Sequence, residues 1–207
     1  YLFIVFAAIV LITLNTWGMF PDLKPAVHHV AFQVASIITT TGYSTVDFNQ
    51  WPTFSKAILV TLMFVGACAG STGGGIKTTT FFVLLSGIYS AATNHSERAF
   101  HNAIPKDAFR KASVISMLAV FLVMTASYLM LIFDPQLSLR DVLFEMISAF
   151  STSGLSTGIT PQLSAQSRIL SIIMMYIGRL GPLTVASLWY FTIGERVRYP
   201  EGTIAIG

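Results

Sequence analysis

The sequence predicts an all-α membrane protein made of two parallel helix–re-entrant loop–helix repeats, and three observations carry that prediction. The 207 residues are 54% hydrophobic and 10% charged, with a mean hydropathy of +0.70, against about 25% charged residues in an ordinary soluble domain. Two apolar segments too short to cross a bilayer each end in a polar turn around a glycine, Gly42 and Gly154. The chain also matches itself at a shift of 112 positions, the separation of those two glycines.

A bilayer core about 30 Å thick takes roughly 20 apolar residues in helix. Residues 1–19 meet that length, and Pro21-Asp22-Leu23-Lys24-Pro25 closes the segment. Residues 26–41 are apolar but too short to span, and Gly42, Tyr43, Ser44 and Thr45 follow; this is the pattern of a half-helix that enters the membrane and turns back. Residues 55–69 are apolar again, break at Gly70-Ser71-Thr72-Gly73-Gly74-Gly75 and resume over 76–92, which reads as a spanning helix interrupted midway. Residues 93–112 carry Arg98, Lys106, Arg110 and Lys111, and cations in a short loop assign it to the cytoplasmic side together with residue 1.

The order then repeats. Residues 113–133 span, Asp134-Pro135 turns, 139–152 form a second half-helix, and 167–193 return to a tail carrying Arg196 and Arg198. The expected organisation is one repeat over 1–92, a cytoplasmic linker over 93–112, another repeat over 113–194 and a cytoplasmic tail over 195–207. The opening apolar run has no initiator Met, charged n-region or cleavage site, so it is not read as a signal peptide, and the chain reads as a fragment whose start lies upstream.

The repeat holds residue by residue. Without gaps, Phe32 pairs with Phe144, Ser36 with Ser148, Thr40 with Thr152, Gly42 with Gly154, Ser44 with Ser156 and Thr45 with Thr157. Further along, Gln50 meets Gln162, Ser55 meets Ser167, Met63 meets Met175, Gly66 meets Gly178 and Thr72 meets Thr184. Units running in the same direction are related by an axis along the membrane normal, which points to a pore on that axis.

A dehydrated cation needs oxygens in place of water, and rings of backbone carbonyls supply them without fixed charge. Aiming consecutive carbonyls at an axis takes backbone angles that glycine tolerates. Thr40-Thr41-Gly42-Tyr43 and Thr152-Ser153-Gly154-Leu155 each set a glycine after hydroxyl residues, at a half-helix C-terminus that carries about half a negative charge. A glycine after a helix also serves as a plain left-handed cap, but two at matched positions of a parallel repeat favour a filter. The amides of the 70–75 break would each cost several kcal/mol in lipid, so that loop must face protein or a water-filled cavity.

Other polar residues at depth are read in the same way. Arg179 falls mid-span, where insertion costs about 2.5–3.5 kcal/mol, so an internal partner is expected. Lys77 is expected to snorkel toward the cytoplasm. Glu145, opposite Gln33 in the repeat, either braces the filter through backbone amides or sits solvated at the membrane surface. Asp47 either draws cations to the outer mouth or caps the next turn, and His28 and His29 read as wet interfacial residues. One cysteine, Cys68, excludes an intrachain disulfide and reads as small apolar packing, and no Cys/His spacing suggests zinc. The only metal expected is an alkali ion. Spans without HExxH, GxSxG or paired aspartates argue against an intramembrane enzyme and give no catalytic residues. Twelve Lys and Arg spread thinly, for a net charge of +3, argue against nucleic acid.

Several motifs in this order resemble the Trk/Ktr/HKT superfamily of potassium transporters, most closely its KtrB branch, the membrane subunits of bacterial Ktr systems. They are the two filter segments, residues 66–80 (GACAGSTGGGIKTTT), 148–161 (SAFSTSGLSTGITP), 178–184 (GRLGPLT), and Arg198-Tyr199-Pro200. The resemblance covers nearly the whole chain and matches the C-terminal half of that family. It implies four repeats around one pseudo-fourfold, potassium-channel-like pore, this chain supplying the third and fourth. Residues 40–44 match T-V-G-Y-G loosely, with Ser44 in place of the second glycine, and relatives also admit or use sodium.

The resemblance further implies potassium uptake across the plasma membrane, gated by the intramembrane loop Gly70, Ser71, Thr72, Gly73, Gly74 and Gly75. Ser71 and Thr72 would hydrogen-bond across the path, with Arg179 close by beneath the filter. It also implies a homodimer on a cytosolic ring of nucleotide-binding KtrA-like subunits. ATP or ADP would act only through that partner, since the 70–75 loop lacks the GKS or GKT of a phosphate-binding loop. Two other arrangements stay open: an alternating-access transporter with a substrate site at the broken helix, and a two-repeat channel that dimerises to bring four loops together.

Overall fold

The computed structural model describes residues 1–93, 98–99, 102–103, 105–182 and 184. Helix α1 (Leu2–Thr16) runs into a 3-10 turn over Trp17–Met19. Together they make 18 uncharged residues of hydropathy 2.1, about 27 Å at 1.5 Å per residue. After a short link α2 (Leu23–Ile38) begins with Pro25 in its first turn, where a missing amide is harmless. Its 16 residues reach about 24 Å, short of a full crossing. A 3-10 turn over Phe48–Gln50 then leads to α3 (Thr53–Phe64).

The chain leaves helical geometry at Val65, five residues before the expected break at Gly70. Strand β1 (Val65–Gly66) pairs in parallel with β2 (Ile76–Lys77), Val65 against Ile76 and Gly66 against Lys77. The Thr78 amide continues the ladder to the Ala67 carbonyl at 3.1 Å. This pairing is the physical reason for the longer break: backbone groups released by α3 are satisfied across the loop instead of facing lipid. Helix α4 (Thr78–Thr93) resumes the direction of α3.

Arg98–Ala99 (β3) and Asn102–Ala103 (β4) form an antiparallel pair. Helix α5 (Lys106–Phe133) already contains Lys106, Arg110 and Lys111, so the last third of the expected linker is the first two turns of a helix. Its 27-residue stretch Asp107–Phe133 contains an 18-residue window of hydropathy 2.3, and with α1 and its 3-10 turn it is one of two helices among the described residues long and apolar enough to cross a membrane. Helix α6 (Leu139–Ser151) is capped by the Ser138 hydroxyl and is only about 20 Å long. A 3-10 turn, Thr160–Gln162, precedes α7 (Ala165–Leu180), which stops at Gly181 with φ +88°. The expected helix over 167–193 is therefore interrupted as well, and its remainder and the 195–207 tail, with Arg196 and Arg198, lie outside the described residues.

Each repeat is a triangle of mutually packed helices, α1–α2–α3 and α5–α6–α7. Ile12, Val34, Ile37, Leu59 and Met63 fill the first core, and Val123, Met130, Val142, Met146 and Phe150 the second. Across the junction α3 lies on α6 and α4 on α5, with Phe48 stacked on Phe144 at 5.6 Å and Phe64 near Phe150 at 6.2 Å. Small residues allow the closest approaches, as expected where van der Waals fit rather than water exclusion joins helices. A Cβ on Gly178 would sit 1.8 Å from the Phe150 carbonyl oxygen, and one on Gly87 2.1 Å from the Phe109 ring. Phe3, Phe6 and Leu14 on α1 and Met117, Phe121 and Ile132 on α5 point outward.

Candidate functional site

The two turns that follow α2 and α6 have the same backbone. Thr40 and Thr152 both take φ 56°, and Gly42 and Gly154 take φ 80° and 79°. The Thr41 amide donates to the Ser36 carbonyl at 2.8 Å, and the Ser153 amide to the Ser148 carbonyl at 3.1 Å. The Ser36 hydroxyl donates to the Tyr43 carbonyl and the Ser148 hydroxyl to the Leu155 carbonyl, each at 2.6 Å. Both serines are buried, so each half-helix holds its own turn shut from inside. The carbonyls of Tyr43 and Leu155 thus already hold one hydroxyl each, leaving one lone pair free.

The turns also meet. A Cβ on Gly42 would lie 2.1 Å from the Ser153 carbonyl oxygen and 3.5 Å from the Gly154 Cα. Carbonyls and hydroxyls, not carboxylates, make up this surface, a donor set suited to a weakly held alkali ion. Among the described residues no three His, Cys, Asp or Glu side chains gather to hold a metal.

Directly against the turns lies the loop between β1 and β2. The Gly74 amide donates to the Thr152 hydroxyl at 3.1 Å, and a Cβ on Gly73 would be 2.8 Å from Thr40 Oγ1. Gly73 and Gly74 are buried while Gly70, Ser71 and Thr72 are exposed. Ser71 does not reach across to another element: its hydroxyl accepts from the Gly73 amide at 3.0 Å. The group that does bridge is Thr152. Lys77 does not snorkel away either, because its ammonium donates to the Ser71 carbonyl at 2.9 Å and to the Gly73 carbonyl. The loop folds back over Lys77, and inward carbonyls satisfy the cation better than a stretched side chain would.

The remaining expectations divide. Glu145 is 9% exposed and accepts from the Ser156 hydroxyl and, at 3.0 Å, from the Thr160 hydroxyl. Its bonds run to hydroxyls, not to backbone amides. Arg179 is exposed at the end of α7, makes no hydrogen bond or ion pair among the described residues, and is electrostatically coupled to Lys77. The expected internal partner is not among those residues. Asp47 caps the next turn, accepting from the Asn49 amide at 3.0 Å and the Gln50 side chain at 3.2 Å, and these bonds hold its carboxyl below the usual range. His29 shares a 3.0 Å hydrogen bond with Thr45 and stacks on Phe20. Cys68 is exposed, not packed, because it falls in the break and not in α3.

Three features went unread in the sequence. Gln33 is fully buried and accepts from the Ser44 hydroxyl at 2.9 Å, the counterpart of the Glu145–Ser156 bond. The Lys56 ammonium donates to the Asn49 carbonyl at 2.9 Å and the Arg168 guanidinium to the Pro161 carbonyl at 3.0 Å, again 112 positions apart. Asp134, 4% exposed, accepts from the Ser164 amide and hydroxyl at 3.1 and 3.0 Å. Aligning the repeats and asking which polar pairs recur would have found the first two.

Comparison with known proteins agrees with this architecture. The chain is 33% identical over 169 residues to the Ktr system potassium uptake protein B of Bacillus subtilis, covering 81% of this chain and 38% of that protein. It is 35% identical over 180 residues to the protein of the same name from Vibrio alginolyticus, covering 85% and 38%. The chain thus spans about two-fifths of the length of these relatives. The solved structure of the potassium transporter TrkH from Vibrio parahaemolyticus superimposes with a TM-score of 0.80 at 21% identity, over 91% of this chain and 43% of that one, which shows a shared fold. The family model for TrkH, described as a cation transport protein, matches residues 3–192. The chain is a membrane protein that belongs to the TrkH family of cation transport proteins, a family of transporters and not of enzymes.

Proposed function

We propose that this chain forms half of a potassium uptake pore in the plasma membrane, with the filter made by Thr40, Thr41, Gly42 and Tyr43 together with Thr152, Ser153, Gly154 and Leu155. One observation carries the reading: two turns with the same φ angles and the same serine-to-carbonyl bonds touch each other. The loop of residues 70–75, bonded to Thr152 and to Lys77, is the gate. Arg179, at the exposed end of α7 and without a hydrogen bond or ion pair among the described residues, faces the ion path beside it in this reading and repels resting cations.

The open edges support a four-repeat ring. Phe144 is 5% exposed under the first repeat, whereas its counterpart Phe32 is 39% exposed. Phe64 packs near Phe150, whereas its counterpart Tyr176 is 69% exposed. Each edge thus presents the surface that the internal junction covers, which is how a head-to-tail ring closes. Two further repeats of the full-length protein complete it. On the same reading the membrane subunit works as a homodimer and cytosolic KtrA-like nucleotide-binding subunits set the gate, as the family resemblance implies; the relatives' names, which speak of a Ktr system, support further subunits.

Potassium-uptake complementation by the full-length protein tests the reading. Gly42→Ser and Gly154→Ser should each raise the apparent KM for potassium on the order of tenfold or admit sodium, because a side chain at φ near +80° is strained. If both leave affinity and selectivity unchanged, these turns are not the filter.

A further inference from the structure

We propose that Glu145 is a positioning residue whose carboxylate charges one side of the filter, so that the two turns hold cations unequally. The inference rests on the filter reading above. Both turns are braced through the same serine, Ser44 or Ser156, to a buried side chain one half-helix behind. In the first repeat that side chain is the neutral amide of Gln33, fully buried, its Nε2 without a partner among the described residues. In the second it is Glu145, whose Oε1 accepts from both Ser156 and Thr160 and whose carboxyl, unlike the Gln33 amide, has an ionised form.

The other carboxylate near a turn without a counterpart is Asp47, which pairs with Ile159 in the alignment and is tied to the Asn49 amide and the Gln50 side chain rather than to the serine brace. A cation, Arg168, lines the same cavity as Glu145, of about 280 Å³, behind the second turn. Its counterpart Lys56 holds the matching carbonyl in the first repeat, so a positive charge is common to both and cancels in the comparison. Asp141 lies a full turn outward, tied to Ser138. Only Ser156 separates Glu145 from the Leu155 carbonyl in bonded sequence. A unit charge about 10 Å from a cation, at an effective dielectric constant near 20, changes its binding on the order of tenfold.

The chemistry that follows is specific to cations. A brace needs only an acceptor, which Gln33 supplies in the first repeat. A carboxylate adds attraction for an ion in the adjacent site without touching it, at the level where a dehydrated ion meets the outer filter. Uptake in proteoliposomes by the full-length protein, at fixed ionic strength, distinguishes the two roles through Glu145→Gln, Gln33→Glu and the exchanged pair.

Glu145→Gln should raise the apparent KM for potassium roughly tenfold with the maximal rate kept within about twofold. Gln33→Glu should lower the KM, and the exchanged pair should return it toward wild type. Wild-type KM in both single variants, with uptake lost in Glu145→Ala, would overturn the proposal and leave Glu145 a neutral brace. If Glu145→Gln does not insert stably, Gln33→Glu alone decides, and an unchanged KM there overturns it. Altered affinity or selectivity in Gly42→Ser or Gly154→Ser beside an unaltered Glu145→Gln would sink this inference and spare the filter; unaltered affinity and selectivity in both glycine variants would sink both.

Discussion

Ser148 donates to the Leu155 carbonyl from a site 3% exposed, so removing its hydroxyl leaves a buried acceptor short of a partner. Such a loss costs about 1–3 kcal/mol. Ser148→Ala should lower the thermal unfolding midpoint in detergent and relax discrimination against sodium. Asp134 gives a pH signature. Hydrogen bonds from Ser167, from the Ser164 amide and hydroxyl and from Gln136 hold its carboxyl below the usual value, outweighing the opposing desolvation. Because the folded value is the lower one, its stabilisation is complete above the ordinary carboxylate range and disappears as pH falls through the depressed value. Thermal midpoints measured from about pH 6 down to pH 3 should fall for the wild type and fall less for Asp134→Asn. The matched glycines could be read from the sequence because positive φ restricts residue choice; the fate of Lys77 could not, because it depends on carbonyls that the loop brings round from four and six positions away.

Between elements, close approach and backbone strain can be separated by substitution. Gly178→Ala would drive a Cβ to 1.8 Å from the Phe150 carbonyl, forcing α7 off α6, and should cost at least the roughly 1–3 kcal/mol of an overpacked core. Gly70→Ala meets nothing within 4 Å but sits at φ +78°, so it should cost only the roughly 1–2 kcal/mol of a left-handed residue. Yield of monodisperse protein and its melting temperature separate the two. In the loop proposed as the gate, Lys77→Gln removes the ammonium that gathers the Ser71 and Gly73 carbonyls, and the loosened loop should raise the uptake rate several-fold at saturating potassium. An unchanged rate would mean that the loop is not the barrier. The break itself was visible in the sequence as a glycine run, but its start at Val65 was not: Val65 and Gly66 leave the helix because Ile76 and Lys77 offer partners, a pairing with no local signal.

At the scale of the whole molecule, the two repeats differ more than their alignment suggests. Helix α3 ends at Phe64, while α7 runs on through Tyr176, the equivalent position, to Leu180. The first repeat leaves helical geometry at Val65, whereas α7 continues four residues beyond the equivalent position before its own stop at Gly181.

Composition, span lengths and the 112-residue recurrence were enough to determine a membrane protein of two parallel units and to single out both glycine turns, because these features depend on transfer energies and backbone sterics local to each segment. Tertiary structure alone decided that the turns touch, that Thr152 meets Gly74, that Lys77 turns inward and that serine hydroxyls, not backbone amides, bond Glu145 and Gln33. Those outcomes depend on which polar groups residues far apart in the chain offer one another where water is excluded, and no single segment contains both halves of such a bond.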